Sequence, residues 1–436
     1  MFQSYNEAVE WIHSRLRLGI KPGLTRMNMM MEKLNFPEQK LKTVHIGGTN
    51  GKGSTVTYLR CMLENAGLAV GTYTSPYIEQ FNERISINGE PISDEDIVKL
   101  CNILYPIVSE MDEMEIGGPT EFEIITAMSF YYFAFMEPVD IVIYEVGLGG
   151  RFDSTNIITP LLAIITSIGL DHTAILGDTY SQIAMEKAGI IKKNTPIIAA
   201  VAQEEAQTEI IKKAEEEQAS LYFLGKHFGV EEFASWEKGE SFTFKTAFAK
   251  LEHLQISMMG KHQIENASLA VMAACLLKQK AFPEISEKHI RIGLKEAKWP
   301  GRFEMVSEQP LVILDGAHNE EGIQALTAEI MKRFKDKKKT VIFAALADKK
   351  TDKMIHQLDA IADDIIFVSF DYPRAATCHQ LYKESRHPQK AYSADWKKTI
   401  DKQLEGIKEE SMLIITGSLY FLSAVKAYWK NKSAAQ

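Results

Sequence analysis

Cysteine is scarce in this chain. Cys61, Cys101, Cys275 and Cys378 are the only four, and none forms a C-x-x-C pair. That spacing speaks against a zinc site and a disulfide scaffold, and reduced thiols in a cytoplasmic protein are expected. Cys61 and Cys275 fall on apolar helix faces and read as core residues. No basic block occurs, since 49 Lys and Arg face 58 Asp and Glu for a net charge of −9. Phosphate backbones demand clustered cations, so nucleic acid is not expected as a partner. An anionic small substrate would instead need a local basic cleft. No apolar run is long enough to span a bilayer, so no membrane association is expected. Met1-Phe2-Gln3-Ser4-Tyr5-Asn6-Glu7 is polar and acidic, unlike a signal peptide. No short-period repeat is present.

What is present is an ordinary soluble composition, 45% hydrophobic and 25% charged, over 436 residues. That length exceeds one ordinary core and predicts two domains. The clearest stretch is Val44-His45-Ile46-Gly47-Gly48-Thr49-Asn50-Gly51-Lys52-Gly53-Ser54-Thr55. A short β-branched strand runs into a glycine-rich turn and then into helical spacing from residue 55 onward. Glycines let successive N–H groups converge on phosphate oxygens, and the helix dipole favours the anion. Lys52 would reach the terminal phosphates, with Ser54 or Thr55 toward a magnesium ion. The spacing departs from G-x-x-x-x-G-K-[ST], so this is a variant P-loop, with a glycine-rich surface turn as the alternative.

Strand and helix patterns alternate along the chain. Helices are expected at 4–18, 27–34, 92–109, 120–135, 181–191, 204–218, 260–277, 322–334 and 419–429. Strands are expected at 67–73, 139–147, 161–167, 196–201, 311–314, 340–346, 364–369 and 412–415. Continuous apolar strands are those of a parallel sheet covered on both faces. Alternation within 242–257 suggests a small antiparallel sheet. Trp299-Pro300-Gly301 punctuates the pattern, predicting one α/β domain over 1–297 and a second over 298–436.

In open parallel sheets ligands sit at the carboxyl ends of strands. Ser75, Glu145 and His172 each lie at or just past such an end. A carboxylate closing an apolar strand needs a cation, and beside a P-loop that cation is Mg²⁺, with pairing to Arg151 or a lysine as the alternative. His172 alone is equally a hydrogen-bonded loop histidine. Gly147-Leu148-Gly149-Gly150-Arg151-Phe152-Asp153 is a glycine-rich loop suited to backbone approach to a ligand. By pattern alone Lys187 is a surface helix lysine. Asp315, His318 and Asn319 cluster at a strand end in the second domain. Arg302 lies in the connector, where it would clamp phosphates as a hinged cleft closes.

Nine motifs stand in one order: Gly48-Thr49-Asn50-Gly51-Lys52-Gly53-Ser54, Thr74-Ser75-Pro76, Glu145-Val146-Gly147-Leu148-Gly149-Gly150-Arg151, Asp153-Ser154-Thr155-Asn156, Leu170-Asp171-His172, Glu186-Lys187-Ala188-Gly189, His262-Gln263-Ile264-Glu265-Asn266, Trp299-Pro300-Gly301-Arg302 and Asp315-Gly316-Ala317-His318-Asn319. With them the chain resembles folylpolyglutamate synthase/dihydrofolate synthase, a branch of the Mur ligase superfamily, over nearly its full length. The resemblance implies an N-terminal P-loop ATPase-type domain with a mostly parallel sheet plus a small antiparallel sheet. It implies a C-terminal Rossmann-like α/β domain. It implies an ATP- and Mg²⁺-dependent ligase that phosphorylates a folate carboxylate and lets L-glutamate displace the phosphate. Thr49, Asn50, Gly51, Lys52, Gly53 and Ser54 would hold the phosphates, His262 and Asn266 the adenine side, Arg302 the phosphates and Asp315 the ribose. Ser75, Glu145, His172 and Lys187, as an N-carbamate, would hold magnesium. Arg84, Phe122, Arg151 and Asp153 would line the site for reduced folate or dihydropteroate, and His318 and Ser418 the glutamate site. Lys52, Lys187 and His318 would be catalytic. A monomer is expected. A cell-wall precursor ligase and a nucleotide-dependent switch are the competing readings; the Thr74-Ser75-Pro76 loop argues against the first.

Overall fold

The computed structural model describes residues 1–19, 21–236 and 238–434. Its strands, in chain order, are β1 (Thr43–Gly47), β2 (Val70–Tyr73), β3 (Ile85–Ile87), β4 (Glu90–Pro91), β5 (Ile141–Glu145), β6 (Leu162–Ile165), β7 (Ile197–Ala199), β8 (Leu221–Phe223), β9 (Phe228–Trp236), β10 (Gly239–Thr246), β11 (Ala249–Ile256), β12 (Glu304–Glu308), β13 (Leu311–Asp315), β14 (Lys338–Phe343), β15 (Asp364–Val368), β16 (Lys390–Ser393) and β17 (Ser411–Thr416). They form three sheets.

The first sheet has the order β4-β3-β2-β5-β1-β6-β7-β8. It is parallel except at β3 and β4, which run antiparallel to their neighbours. β1, β5 and β6 are buried throughout, as a parallel sheet covered on both faces requires. From β1 the chain leaves to β2 on one side, and after β5 it crosses to β6 on the other. β1 is therefore the topological switch point, where such sheets open a crevice at their carboxyl edge. Register places Ile46 opposite Glu145 and Tyr73 opposite Tyr144, so the ends of β1, β2 and β5 lie side by side. His45 is in register with Tyr144 and Ala163, and the three share one face. That face is packed by two apolar clusters, one around Tyr73, Val142, Tyr144 and Phe130, the other around Ala163, Ile165 and Ile183. The Met cluster Met27, Met30 and Met31 is core.

The second sheet is the three-stranded β11-β10-β9, and the third runs β12-β13-β17-β14-β15-β16. In the third, β13 alternates its faces: Leu311 and Ile313 join one apolar cluster, Val312 and Leu314 the other. The chain groups into two compact units. One comprises Met1–Ser235, Ser241–Ser257 and Gln263–Ala297; the other comprises Trp236–Glu240, Met258–His262 and Lys298–Gln436.

Local chemistry accounts for the differences from the sequence reading. The P-loop helix starts at Lys52, not at residue 55, because Gly51 takes a left-handed conformation at its N-cap. The strand expected from 67 starts at Val70, since Gly67 (φ 87°) is still turning. The first helix is α-helical over Tyr5–Ser14, with Ser4 as N-cap, and continues as a 3₁₀ turn over Arg15–Leu18. Edge strands β12 and β16 were not expected, as both are short and largely polar. All four cysteines are free and buried. Among the described residues no helix is long and apolar enough to cross a membrane.

Candidate active site

The turn after β1 is held from below by the strand beside it. Gly48 sits at φ 145°, and a Cβ there would stand 2.0 Å from Thr166 Oγ1. Only glycine permits that approach. Thr166 Oγ1 donates to the Asn50 carbonyl at 2.6 Å, and Ser167 Oγ accepts from Asn50 N at 2.9 Å. Thr49 N donates to Ser167 O at 2.9 Å. Gly51 is pinned on the other side, where a Cβ would meet Asn266 Oδ1 at 2.2 Å. Gln263 Nε2 donates to Ser54 Oγ at 3.2 Å, and Gln263 Oε1 accepts from Asn266 Nδ2 at 3.3 Å. Residues from the helix Lys261–Lys280 thus buttress the turn. The Thr55 hydroxyl is spent on the Gly51 carbonyl at 2.9 Å, which leaves Ser54 as the hydroxyl of the pair that is not bound to its own helix.

Lys187 is not a surface lysine. It is 4% exposed, and its Nζ donates to Gly48 O at 2.9 Å. Lys52 Nζ donates to the same carbonyl at 3.1 Å. Burial, and then the charge of Lys52, push the Lys187 amine down to about 7, against the opposing pull of Asp171 and Asp153. Period alone could not show this, because a helix in contact at its C-terminal end buries a residue its amphipathic pattern leaves outside. The contact is made by the glycine-rich loop. A Cβ on Gly150 would lie 2.8 Å from Glu186 O, and a Cβ on Gly189 would lie 2.4 Å from Arg151 Cα. Arg151 N donates to Glu186 O at 2.8 Å, and Asn156 Nδ2 donates to the carbonyls of Arg151 and Gly189, each at 3.0 Å.

Asp153 is buried inside that loop. Its Oδ2 accepts from Leu148 N at 2.8 Å and its Oδ1 from Thr155 Oγ1 at 2.6 Å. Burial raises its pKa against these hydrogen bonds. Thr155 Oγ1 lies 2.8 Å from His45 Nε2. With the hydroxyl proton given to Asp153, the imidazole must donate from Nε2. Burial lowers the His45 pKa to about 3, so the ring is neutral and Nε2 holds its one proton. The carboxylate of Asp153 therefore shapes the loop and ties it to β1.

Glu145 closes β5 at 5% exposure. Its Oε2 accepts from Ser75 N at 3.2 Å, so these two residues are neighbours. Arg151 instead pairs with Glu186 at 2.6 Å. His172 has a positive φ of 51° at the start of the short helix Thr173–Leu176, with its side chain 37% exposed. Asp171 next to it is buried and faces Lys187 electrostatically. Among the described residues no three His, Cys, Asp or Glu side chains form a metal cluster by themselves. A hydroxyl, a carboxylate and an imidazole at one carboxyl edge nevertheless fit a hard ion that retains waters.

Arg84 is 8% exposed, 3.7 Å from Glu121, with its guanidinium 5.3 Å from the centre of the Tyr77 ring. Its buried Nε has no hydrogen-bond partner, which marks a donor available to a ligand. Phe122 lies across Gly147, where a Cβ would stand 2.5 Å from its ring.

In the second unit Asp315 ends β13, with Oδ2 accepting from Phe303 N at 2.7 Å and Oδ1 from Ala317 N at 2.8 Å. Burial raises its carboxyl and the nearby Arg302 opposes that. Arg302 passes over Gly316, its Nη1 being 2.8 Å from where a Cβ would stand. His262 is pushed down by burial and also feels Asp315 and Arg302. β13 and β17 are parallel with Asp315 opposite Thr416. His318 and Ser418 thus follow neighbouring strand ends. His318 Nδ1 lies 2.8 Å from Gly316 O, and Ser418 is buried. Sequence reasoning did not single out Asp171, Gln263 or Ser167; their motif neighbours drew attention, and only packing shows their part.

Two family models match: the Mur ligase middle domain over 107–274 and the Mur ligase glutamate ligase domain over 301–419. The dihydrofolate synthase/folylpolyglutamate synthase of Bacillus subtilis is 48% identical over 98% of this chain and 99% of its own. The solved apo form of L. casei FPGS superposes with a TM-score of 0.87 at 32% identity, covering 98% of this chain and 100% of that one. A solved FPGS-AMPPCP-folate complex gives 0.85 at 32% identity, with the same coverage.

Proposed function

Because the chain belongs to the folylpolyglutamate synthase/dihydrofolate synthase branch of the Mur ligases, we propose that it joins L-glutamate to the carboxylate of a reduced folate at the expense of ATP. The observation that carries this reading is the phosphate cradle with two lysines, Lys52 and Lys187, converging on the Gly48 carbonyl. A cradle for a nucleotide switch needs one lysine; a second, buried and near neutrality, suits covalent conversion.

The reaction follows from the chemistry of a carboxylate, which is a poor electrophile. Its oxygen attacks the γ-phosphorus of ATP, the bond to ADP breaks, and an acyl phosphate forms. The glutamate amine then attacks the carbonyl carbon, inorganic phosphate leaves, and the nitrogen gives up a proton. Backbone N–H groups of 49–54 hold the phosphates, and Lys52 neutralises charge on the transferring group. Ser75, Glu145 and His172 would hold magnesium, which when bound offsets the negative charge of the phosphates. Lys187 is read as an N-carbamate: its neutral amine adds to carbon dioxide and loses one proton, turning a cation into an oxygen ligand. In the second unit, Arg302, Asp315 and His262 are assigned to ATP, and His318 and Ser418 to glutamate. Arg84 and Phe122 are assigned to the pterin substrate.

Incubation with ATP, glutamate and tetrahydrofolate, read by ADP release and product mass, tests the proposal. ADP production indifferent to folate and glutamate would reject it. Arg151 in the glycine-rich loop resembles bifunctional members, which favours dihydropteroate as an additional substrate, and the same assay with dihydropteroate decides it.

A further inference from the structure

Within the second unit a buried carboxylate lies behind His262 and outside every motif named above. Glu240 opens β10 and is 1% exposed. Its Oε1 accepts the Gly260 amide at 2.9 Å and the Arg333 guanidinium. Arg333 also donates from Nη1 to Trp236 O at 2.8 Å and from Nη2 to Gly239 O at 3.2 Å, and it pairs with Glu329 on its own helix. Trp236 and Gly239 are thereby fixed to the helix Glu320–Arg333. Gly260 has φ 109°, and a Cβ there would stand 2.6 Å from the His262 ring. The ring therefore lies against the backbone that Glu240 holds.

We infer that Glu240 is a positioning residue for ATP: by fixing the Gly260 amide it fixes the His262 ring on which the purine is read. Arg333 holds Glu240 in turn. Burying a carboxylate is tolerated here because the guanidinium compensates it, and a carboxylate is chosen because one oxygen can accept from an amide and a guanidinium together. The inference rests on the assignment of His262 to the purine, and the test separates the two.

Glu240→Ala, Glu240→Gln and His262→Ala are compared with the parent chain for KM of ATP, of folate and of glutamate, and for the ATP-over-GTP preference in kcat/KM. The amide of Glu240→Gln keeps an oxygen facing Gly260 and Arg333. Expected is a rise of about tenfold in KM for ATP in Glu240→Ala, the scale of one lost charge-assisted hydrogen bond, with a matching fall in purine preference. The KM values of folate and glutamate stay in place, and Glu240→Gln recovers most of the loss. A fall in kcat alone, with all KM values unchanged, would mean a purely structural role and overturn the inference. So would an effect in Glu240→Gln equal to that in Glu240→Ala. If Glu240→Ala does not fold, Glu240→Gln against His262→Ala still decides: with the guanidinium pair weakened, a small rise confined to ATP supports positioning, and an equal rise for all three substrates overturns it. An unchanged KM for ATP in His262→Ala would instead remove the purine assignment itself, and the inference with it.

Discussion

Replacing Lys187 by Met gives the sharpest test of the site's electrostatics. Met is unbranched and one atom shorter, needs no proton, and leaves Lys52 donating to Gly48 O. The amine of Lys187 falls from 10.5 to about 7 on folding, with burial the main cause. At about 1.4 kcal/mol per unit, a charged Lys187 costs the folded state about 5 kcal/mol. The sign follows from proton binding. Between the folded and unfolded values the unfolded chain holds more protons, so stability rises with pH. The cost is full below the folded value and disappears as pH approaches the unfolded one. Integrating from about pH 7 to about pH 9, the parent chain gains about 2 kcal/mol that the Met variant does not. Urea unfolding followed by circular dichroism, in carbon dioxide-free buffer with a chelator, measures the gap. The Met variant is expected to be the more stable near neutrality, with the gap narrowing by that amount at the higher pH. The lost hydrogen bond to Gly48 shifts both ends equally and cancels. A gap that does not change with pH would refute the reasoning, because it would mean the amine is charged, or neutral, throughout.

Three further outcomes follow from the same geometry. Gly48→Ala would press a methyl group into Thr166 Oγ1, 2.0 Å away; folate-dependent ADP release should fall about a hundredfold, the scale of an ångström's misplacement of a catalytic loop. Arg26→Ala removes the cation 2.9 Å from the carboxylate of Glu123, which is 2% exposed and keeps, among the described residues, only the Thr120 hydrogen bonds; unfolding free energy should drop by about 3 kcal/mol, measured by denaturant. Arg151→Ala removes a half-exposed partner of Glu186, so stability should change by less than about 1 kcal/mol while the KM for dihydropteroate rises and that for ATP holds. A loss confined to stability would take Arg151 out of the substrate site.

The separate elements were readable because their signals are local. Buried strands such as Ile141–Glu145 carry unbroken apolar runs, and the capping box of Thr120 with Glu123 starts a helix within four residues. The rule that ligands sit at the carboxyl ends of parallel strands singled out Ser75 and Glu145 as candidates. What escaped had no local signature. β12 and β16 are edge strands with little apolar pattern, and the hydrogen bonds by which Asp153 closes its own loop come from packing rather than from spacing.

By itself the sequence determined the alternation of strand and helix, the glycine turn and the order of its motifs, since period, backbone freedom and spacing are properties of neighbours along a chain. Only the tertiary structure decided which groups share a dielectric. Lys187 is separated from Gly48 by 139 positions yet donates to its carbonyl, and Gln263 reaches Ser54 across 209. Burial, and with it the ionisation of Lys187, is set by what packs around a side chain, and that is fixed only when distant segments meet.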